Sequence, residues 1–175
     1  MAIDHDSHRT MWQHYATVLV LWNVFESLLE ISIMREAKLA PLQAVIICSG
    51  LPFERKASIA RSLLALRDAT NAIRLINRIT QEVSRNLLIH AQIRAGENTI
   101  TFRKIETDQR LKVKEKTFNV ETLEAHYRAF SKLMDELMAD LGIYDDAIVS
   151  YGRTTNSLLS KSATSPNEPS SKRAE

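Results

Sequence analysis

The chain has 175 residues, enough for one domain with its own hydrophobic core. Only 4 glycines and 4 prolines favour long helices over turn-rich structure. The single cysteine, Cys48, excludes an internal disulfide and a cysteine-based zinc cluster, and a net charge of +2 is too small to indicate a nucleic-acid partner by itself. The first residues lack the basic start and apolar run of a signal peptide, so we expect a cytoplasmic protein.

The N-terminal part is predicted to form one long helix. Residues 1–7 are polar and expected to be flexible, and the helix is predicted over about 8–38. Residues 18–25 are apolar almost all round, which favours a core on one side and a homodimer interface on the other. The run is too short for a membrane span, so no membrane is expected. The predicted inward positions are Trp12, Tyr15, Leu19, Trp22, Phe25 and Leu29.

Two polar residues, Asn23 and Glu26, lie one turn apart inside this apolar segment. A buried polar group without a partner costs about 1–3 kcal/mol, so both are expected to be hydrogen-bonded. They either bond within the bundle, which is the simpler interpretation, or line a functional pocket. The histidines at positions 5, 8 and 14 have no acidic or cysteine partners at ligand spacing, so no metal site and no cofactor are predicted.

A second helix is predicted over 41–48, a third over 53–67 and, after a break at 68–71, a fourth to about 93. In the fourth helix, Ile76, Ile79 and Val83 recur at spacings of three and four, which indicates one buried face. Continued toward the C-terminus, this face reaches Asn86 and His90, with Arg85 beside them. The buried face therefore becomes polar at its C-terminal end, next to the Arg85 guanidinium. We expect the functional site of the protein at this position.

Two alternating runs follow the fourth helix and predict a β-hairpin over about 99–117, with a loop at 106–109. The apolar side chains would pack on the bundle, and the basic ones would lie on the exposed surface. These basic residues either grip phosphates or protect the strand edges from pairing with other chains. The candidate RNA-binding residues are Arg103, Lys104, Arg110, Lys112 and Lys114.

The last long helix is the clearest element in the sequence. Asn119 is predicted to cap it and Gly142 to end it, and its apolar residues form a heptad-like stripe. His126 has no motif around it and is predicted to lie on the surface. Residues 8–151 are predicted to form one domain, and the Ser-, Thr- and Pro-rich residues 152–175 a disordered tail.

The sequence Arg85-Asn86-x-x-x-His90 resembles the R-x4-6-H motif of HEPN-domain proteins, in which Asn, Asp or His commonly follows the arginine. The order of elements over roughly 8–142 is also similar to theirs: a long first helix, a helix pair with the motif near its end, a short insertion and a last helix. The resemblance implies a mainly α, up-and-down helical bundle with the small hairpin inserted before the last long helix.

The resemblance also implies a function. Many HEPN proteins are metal-independent ribonucleases of toxin–antitoxin and phage-defence systems, whose composite site uses both protomers of a dimer. An antitoxin or partner protein would then be a further partner of this chain. Other members lack the activity and bind RNA or proteins, and this silent interaction module is the alternative function.

The chemistry of the three motif residues fits the nuclease. Histidine transfers protons near neutral pH, and arginine stays charged and grips phosphate with its planar fork. Asn86 can orient the imidazole of His90 or donate to a phosphate oxygen. In the structural alternative, Arg85 is a solvated residue paired within its own turn, and His90 is a core histidine near a helix end.

Overall fold

The computed structural model describes residues 5–83, 88, 91–108 and 110–163, and side chains over 6–83, 88, 91–105 and 112–157. Within these ranges the chain is mainly helical, with one small antiparallel sheet. The helices are α1 (His5–Glu36), α2 (Pro41–Ser49), α3 (Phe53–Ala65), α4 (Thr70–Glu82), α5 (Val120–Leu141) and α6 (Asp145–Ala163). The strands are β1 (Gln92–Ala95), β2 (Ile100–Asp108) and β3 (Arg110–Phe118).

The core is built around α1, which packs against α3, α5 and α6. Trp22 lies at its centre, with ring centroids 4.9 Å from Phe53 of α3 and 5.9 Å from Phe130 of α5. Phe25 of α1 packs edge-on against the same indole at 5.3 Å. Burial of these large aromatic surfaces is the main favourable term that holds the helices together.

The ends of α5 are those that the sequence predicts. The Asn119 side chain accepts a hydrogen bond from the Thr122 amide at 2.8 Å, and Thr122 in turn accepts from the Asn119 amide at 2.9 Å. At the other end Gly142 has φ +60°, the left-handed conformation that glycine adopts without strain. Both predicted helix signals are confirmed.

The sheet has the order β1-β2-β3, with both pairs antiparallel. The predicted loop at 106–109 is wrong, because the strands continue until Asp108 pairs with Arg110. A loop over 106–109 would pair residue 102 with 113, whereas the observed register pairs Phe102 with Lys116. The observed register is thus shifted by three residues from the predicted one. Because side chains alternate between the two faces of a strand, an odd shift moves every side chain of β3 to the face opposite the predicted one.

Three predicted boundaries are wrong. The first helix begins at His5 rather than near residue 8, and the fourth ends at Glu82 rather than near 93. Residues 92–95 instead form β1, a short strand whose four side chains are all exposed. The predicted tail is helical as far as Ala163, since α6 packs on α1 and α2. Residues 1–4 and 164–175 lie outside the described part of the chain.

Helix α1 is long and apolar enough to cross a membrane by length and composition alone, with a mean hydropathy of 1.5 in its most apolar window. Within the structure it is the central core helix, and core helices of soluble proteins commonly have the same composition.

Candidate functional site

The predicted catalytic residues Arg85, Asn86 and His90 lie outside the described residues. We call residues 84–90 the motif segment, of which only Leu88 is described. Its surroundings are defined at three points: Val83, buried at the end of α4; Leu88, buried and helical; and β1, which begins at Gln92. The side chains that contact these points come from α1, α5 and the sheet.

Tyr15 contacts the motif segment from α1. Its hydroxyl donates a hydrogen bond of 2.8 Å to the Leu88 carbonyl, across 73 residues of sequence. The ring packs against Phe102 of β2 at 5.2 Å and against Trp12 at 5.9 Å. Burial raises the pKa of Tyr15, so the hydroxyl stays protonated and remains a donor. The sequence predicts Tyr15 only as a core residue, because a hydrogen bond between distant elements has no local signal.

His126 lies beside the start of the motif segment and is half-buried, so its predicted position on the surface is wrong. Its ring packs against Phe118 of β3, with centroids 5.4 Å apart. Burial, which is the largest effect, and the charge of Lys116 lower the pKa of His126, while hydrogen bonding to the Val83 backbone opposes them. The imidazole is therefore held in its neutral form near neutral pH.

Four lysines lie on one face of the hairpin, and we call them the lysine ladder: Lys104, Lys112, Lys114 and Lys116. The register places them on the same face as Phe102 and Phe118, which are buried against the bundle. The ladder therefore lies on the side of the hairpin that faces the bundle. Lys112 and Lys114 are exposed, as predicted, but the prediction that the apolar side chains of both runs pack on the bundle is wrong for Val113, which is exposed on the other face.

The inner end of the ladder lies next to His126. The Lys116 ammonium lies 4.9 Å from the centroid of the Phe118 ring, and its charge lowers the pKa of His126. Lys114 and Lys112 follow outward at every second residue, which is about 7 Å per step along a strand, and both are exposed. Positive charge thus extends from the start of the motif segment along the hairpin.

The other predicted RNA-binding residues differ in position. Arg103 lies on the opposite face of β2, where it is paired in register with Gln92 and Glu115. That face also carries Ile105 and Val113, an exposed apolar pair. Arg110 is the first residue of β3, and its side chain lies outside the described residues.

The supporting residues Asn23 and Glu26 do not form one site. Asn23 is exposed, so the prediction that it is buried is wrong. Glu26 instead accepts a hydrogen bond of 2.7 Å from the Lys56 ammonium, which also donates to Glu30 at 2.5 Å. Glu26 lies eleven residues from Tyr15, about 16 Å along the helix. The Lys56 ion pairs therefore belong to the packing of α1 on α3 rather than to the surroundings of the motif segment.

This buried ionic group has further neighbours. Lys56 has a side chain only 7% exposed; burial lowers its pKa, but the two carboxylates outweigh that effect and raise it. Burial, with the Glu30 charge, also raises the pKa values of Tyr151 and Cys48. Cys48 is thus a buried, protonated thiol.

A small cavity of about 170 Å³ lies between α1, α2 and α6. Met34, Pro41 and Tyr151 line it, together with the Arg35 side chain, which donates to the Gly142 carbonyl at 2.9 Å. The described part of the chain holds no group of three or more metal-ligating side chains. His8 donates instead to the Gly96 carbonyl at 2.5 Å, and His14 packs against Tyr127 at 4.9 Å.

No model of a known protein family matches the chain, and no curated protein and no solved structure matches it. The HEPN resemblance thus rests on the motif and on the order of elements, and it remains a prediction.

Proposed function

We propose that this protein is a metal-independent endoribonuclease of HEPN type that acts as a homodimer in the cytoplasm, as toxin or phage-defence effectors do. Arg85 holds the scissile phosphate, His90 transfers protons and Asn86 positions them. Attack by the ribose 2′-hydroxyl gives a 2′,3′-cyclic phosphate and a 5′-hydroxyl. DNA is not cleaved because it lacks the attacking hydroxyl.

The observation that carries this proposal is the position of the lysine ladder. Its inner lysine, Lys116, lies beside His126, which contacts Val83, the last residue before the motif segment. An RNA strand bound along the ladder would thus be led to Arg85 and His90. Phosphate binding by several lysines supplies affinity without sequence preference, and the motif supplies the chemistry.

The homodimer is supported by an exposed apolar stripe on α1, formed by Trp12, Ala16 and Val20. Val20 is 60% exposed and Trp12 43%, although both are large and apolar. Trp12 contacts Tyr15, whose hydroxyl bonds Leu88, so the stripe adjoins the motif segment. A two-fold contact across this stripe would bring two motif segments together and double the number of proton-transferring and charge-binding groups.

The nuclease is tested by incubating the purified protein with total RNA in excess EDTA. We expect the wild type to cleave and His90→Ala to be inactive. His14→Ala is the matched control, because it removes an imidazole that packs on Tyr127 outside the motif segment. Cleavage by the wild type that stops in EDTA, or equal cleavage by His90→Ala, would refute the metal-independent mechanism.

The dimer is tested with Val20→Glu, which places a charge in the apolar stripe. We expect a monomer in sedimentation experiments and loss of cleavage. Val149→Glu on α6 is the control, since Val149 is also about half exposed but lies on a different helix from the stripe. A Val20→Glu protein that remains a dimer would show that another surface forms the interface.

The alternative is a catalytically silent HEPN-like module that binds RNA or a partner protein. This alternative is favoured because Lys112 and Lys114 of the lysine ladder can bind phosphates without Arg85 or His90. Binding of labelled RNA separates the two functions. A wild type that binds RNA without cleaving it, and a Lys112→Gln/Lys114→Gln double variant that binds more weakly and with a smaller salt dependence, would favour the module.

A further inference from the structure

The cavity between α1, α2 and α6 has an apolar floor. Ile31 and Tyr151 line it and are only 1% and 6% exposed, so they form its deepest part. The Tyr151 hydroxyl is inaccessible to solvent, so this residue presents its ring to the cavity. Met34 and Pro41 add further apolar surface. The volume is about 170 Å³, and an apolar cavity of about 150 Å³ holds a molecule of the size of benzene.

The opening of the cavity is polar. Arg35 and Ser150 line it and are exposed, so they lie where the cavity meets the solvent. Arg35 donates from Nη1 to the Gly142 carbonyl at 2.9 Å, which uses only one of the N–H donors of the guanidinium. Thr154 also lines the cavity, but its hydroxyl donates to the Ser150 carbonyl at 3.1 Å. The donors at the opening are therefore the Arg35 guanidinium and the Ser150 hydroxyl.

The charge of Arg35 is not neutralised by an ion pair within the described part of the chain. Arg67 and Arg128, by contrast, each pair with a glutamate. Asp146 precedes Ala147, a lining residue, but its carboxylate accepts a hydrogen bond of 2.8 Å from the Ala147 amide. A guanidinium binds a carboxylate through two parallel hydrogen bonds. The opening thus matches a ligand with one negative charge.

We propose that this cavity binds a small monocarboxylate with an apolar body of about the size of a benzene ring. The body packs against Ile31 and the Tyr151 ring, and the carboxylate accepts hydrogen bonds from Arg35 and Ser150. Because three helices line the cavity, the ligand joins α2 and α6 to α1 and stabilises the folded protein. The site shares no residue with the lysine ladder or the predicted catalytic residues, so it does not depend on the nuclease function.

Calorimetric titration of the full chain with benzoate tests the site, with benzyl alcohol as the uncharged probe of similar shape at the same ionic strength. Ala147→Leu fills the cavity from α6 and leaves Arg35 and its bond to Gly142 in place. Arg35→Gln removes the charge. Val149→Leu is the control, because it enlarges an exposed side chain of the same helix that does not line the cavity.

We expect the wild type and Val149→Leu to bind benzoate equally, and about tenfold more tightly than benzyl alcohol. Ala147→Leu should lose both probes. Arg35→Gln should bind benzoate about tenfold more weakly and benzyl alcohol nearly unchanged.

The comparison of the two probes on the wild type needs no variant, so a variant that fails to fold does not prevent the test. A wild type that binds no benzoate, or binds it no more tightly than benzyl alcohol, would overturn the proposal. Unchanged benzoate binding by folded Ala147→Leu would also overturn it, because the ligand would then bind elsewhere. If folded Arg35→Gln weakens both probes equally, recognition of the carboxylate by Arg35 is refuted.

Discussion

Replacing Tyr15 by Phe tests the contact that holds the motif segment to α1. The substitution removes one hydroxyl and keeps the ring against Phe102 and Trp12. The Leu88 carbonyl, in a residue only 2% exposed, then loses the 2.8 Å bond. A buried acceptor left without its donor costs about 1–3 kcal/mol. Since Tyr15 itself is only half-buried, water can partly replace the hydroxyl, and we expect a loss of about 1–2 kcal/mol.

For a protein of this length each kcal/mol shifts the melting temperature by about 2–4 °C, so Tm should fall by roughly 2–8 °C. Urea denaturation followed by tryptophan fluorescence gives the free energy directly. Tyr144→Phe is the control: it removes the same hydroxyl from a side chain that is 61% exposed, and it should change stability by less than about 0.5 kcal/mol. If the two variants lose the same amount, the Leu88 bond does not hold the motif segment, and amide exchange there should be unchanged.

Three further changes follow from described contacts. Lys56→Met leaves Glu26 and Glu30 half-buried without their cation and should lower the free energy of unfolding in urea by about 3 kcal/mol at pH 7; an unchanged value would contradict this. Gly142→Ala forces alanine to φ +60° and should lower the free energy of unfolding by about 1 kcal/mol in urea, while an unchanged value would show that the α5 end relaxes. The pKa of His126 is lowered in the folded state, so the unfolded chain binds the proton first as the pH falls. The free energy of unfolding should therefore decrease below about pH 6.5, and it should decrease less in His126→Phe.

Much of the secondary structure could be predicted because it depends on local signals. Helix α5 begins at Asn119 and ends at Gly142 since a side-chain cap and a left-handed glycine act on the backbone directly beside them. The alternation of apolar and polar residues likewise identifies β2 and β3. By contrast, the end of α4 at Glu82 carries no glycine or proline, and the apolar spacing continues past it into the motif segment. Strand β1 exists only because β2 offers its edge, and none of its exposed side chains marks it.

The sequence by itself determined which chemical groups are present: an arginine, an asparagine and a histidine at helical spacing, and six basic residues along the hairpin. Only the tertiary structure decided which groups meet. A helix that is apolar on two sides does not show which side a neighbour covers, so the sequence predicts Asn23 in the interior although it lies at the surface. The pairing register alone placed the lysine ladder on the bundle side, and the packing of α5 against β3 brought His126 to Val83. These contacts join residues far apart in the chain, and no local pattern records them.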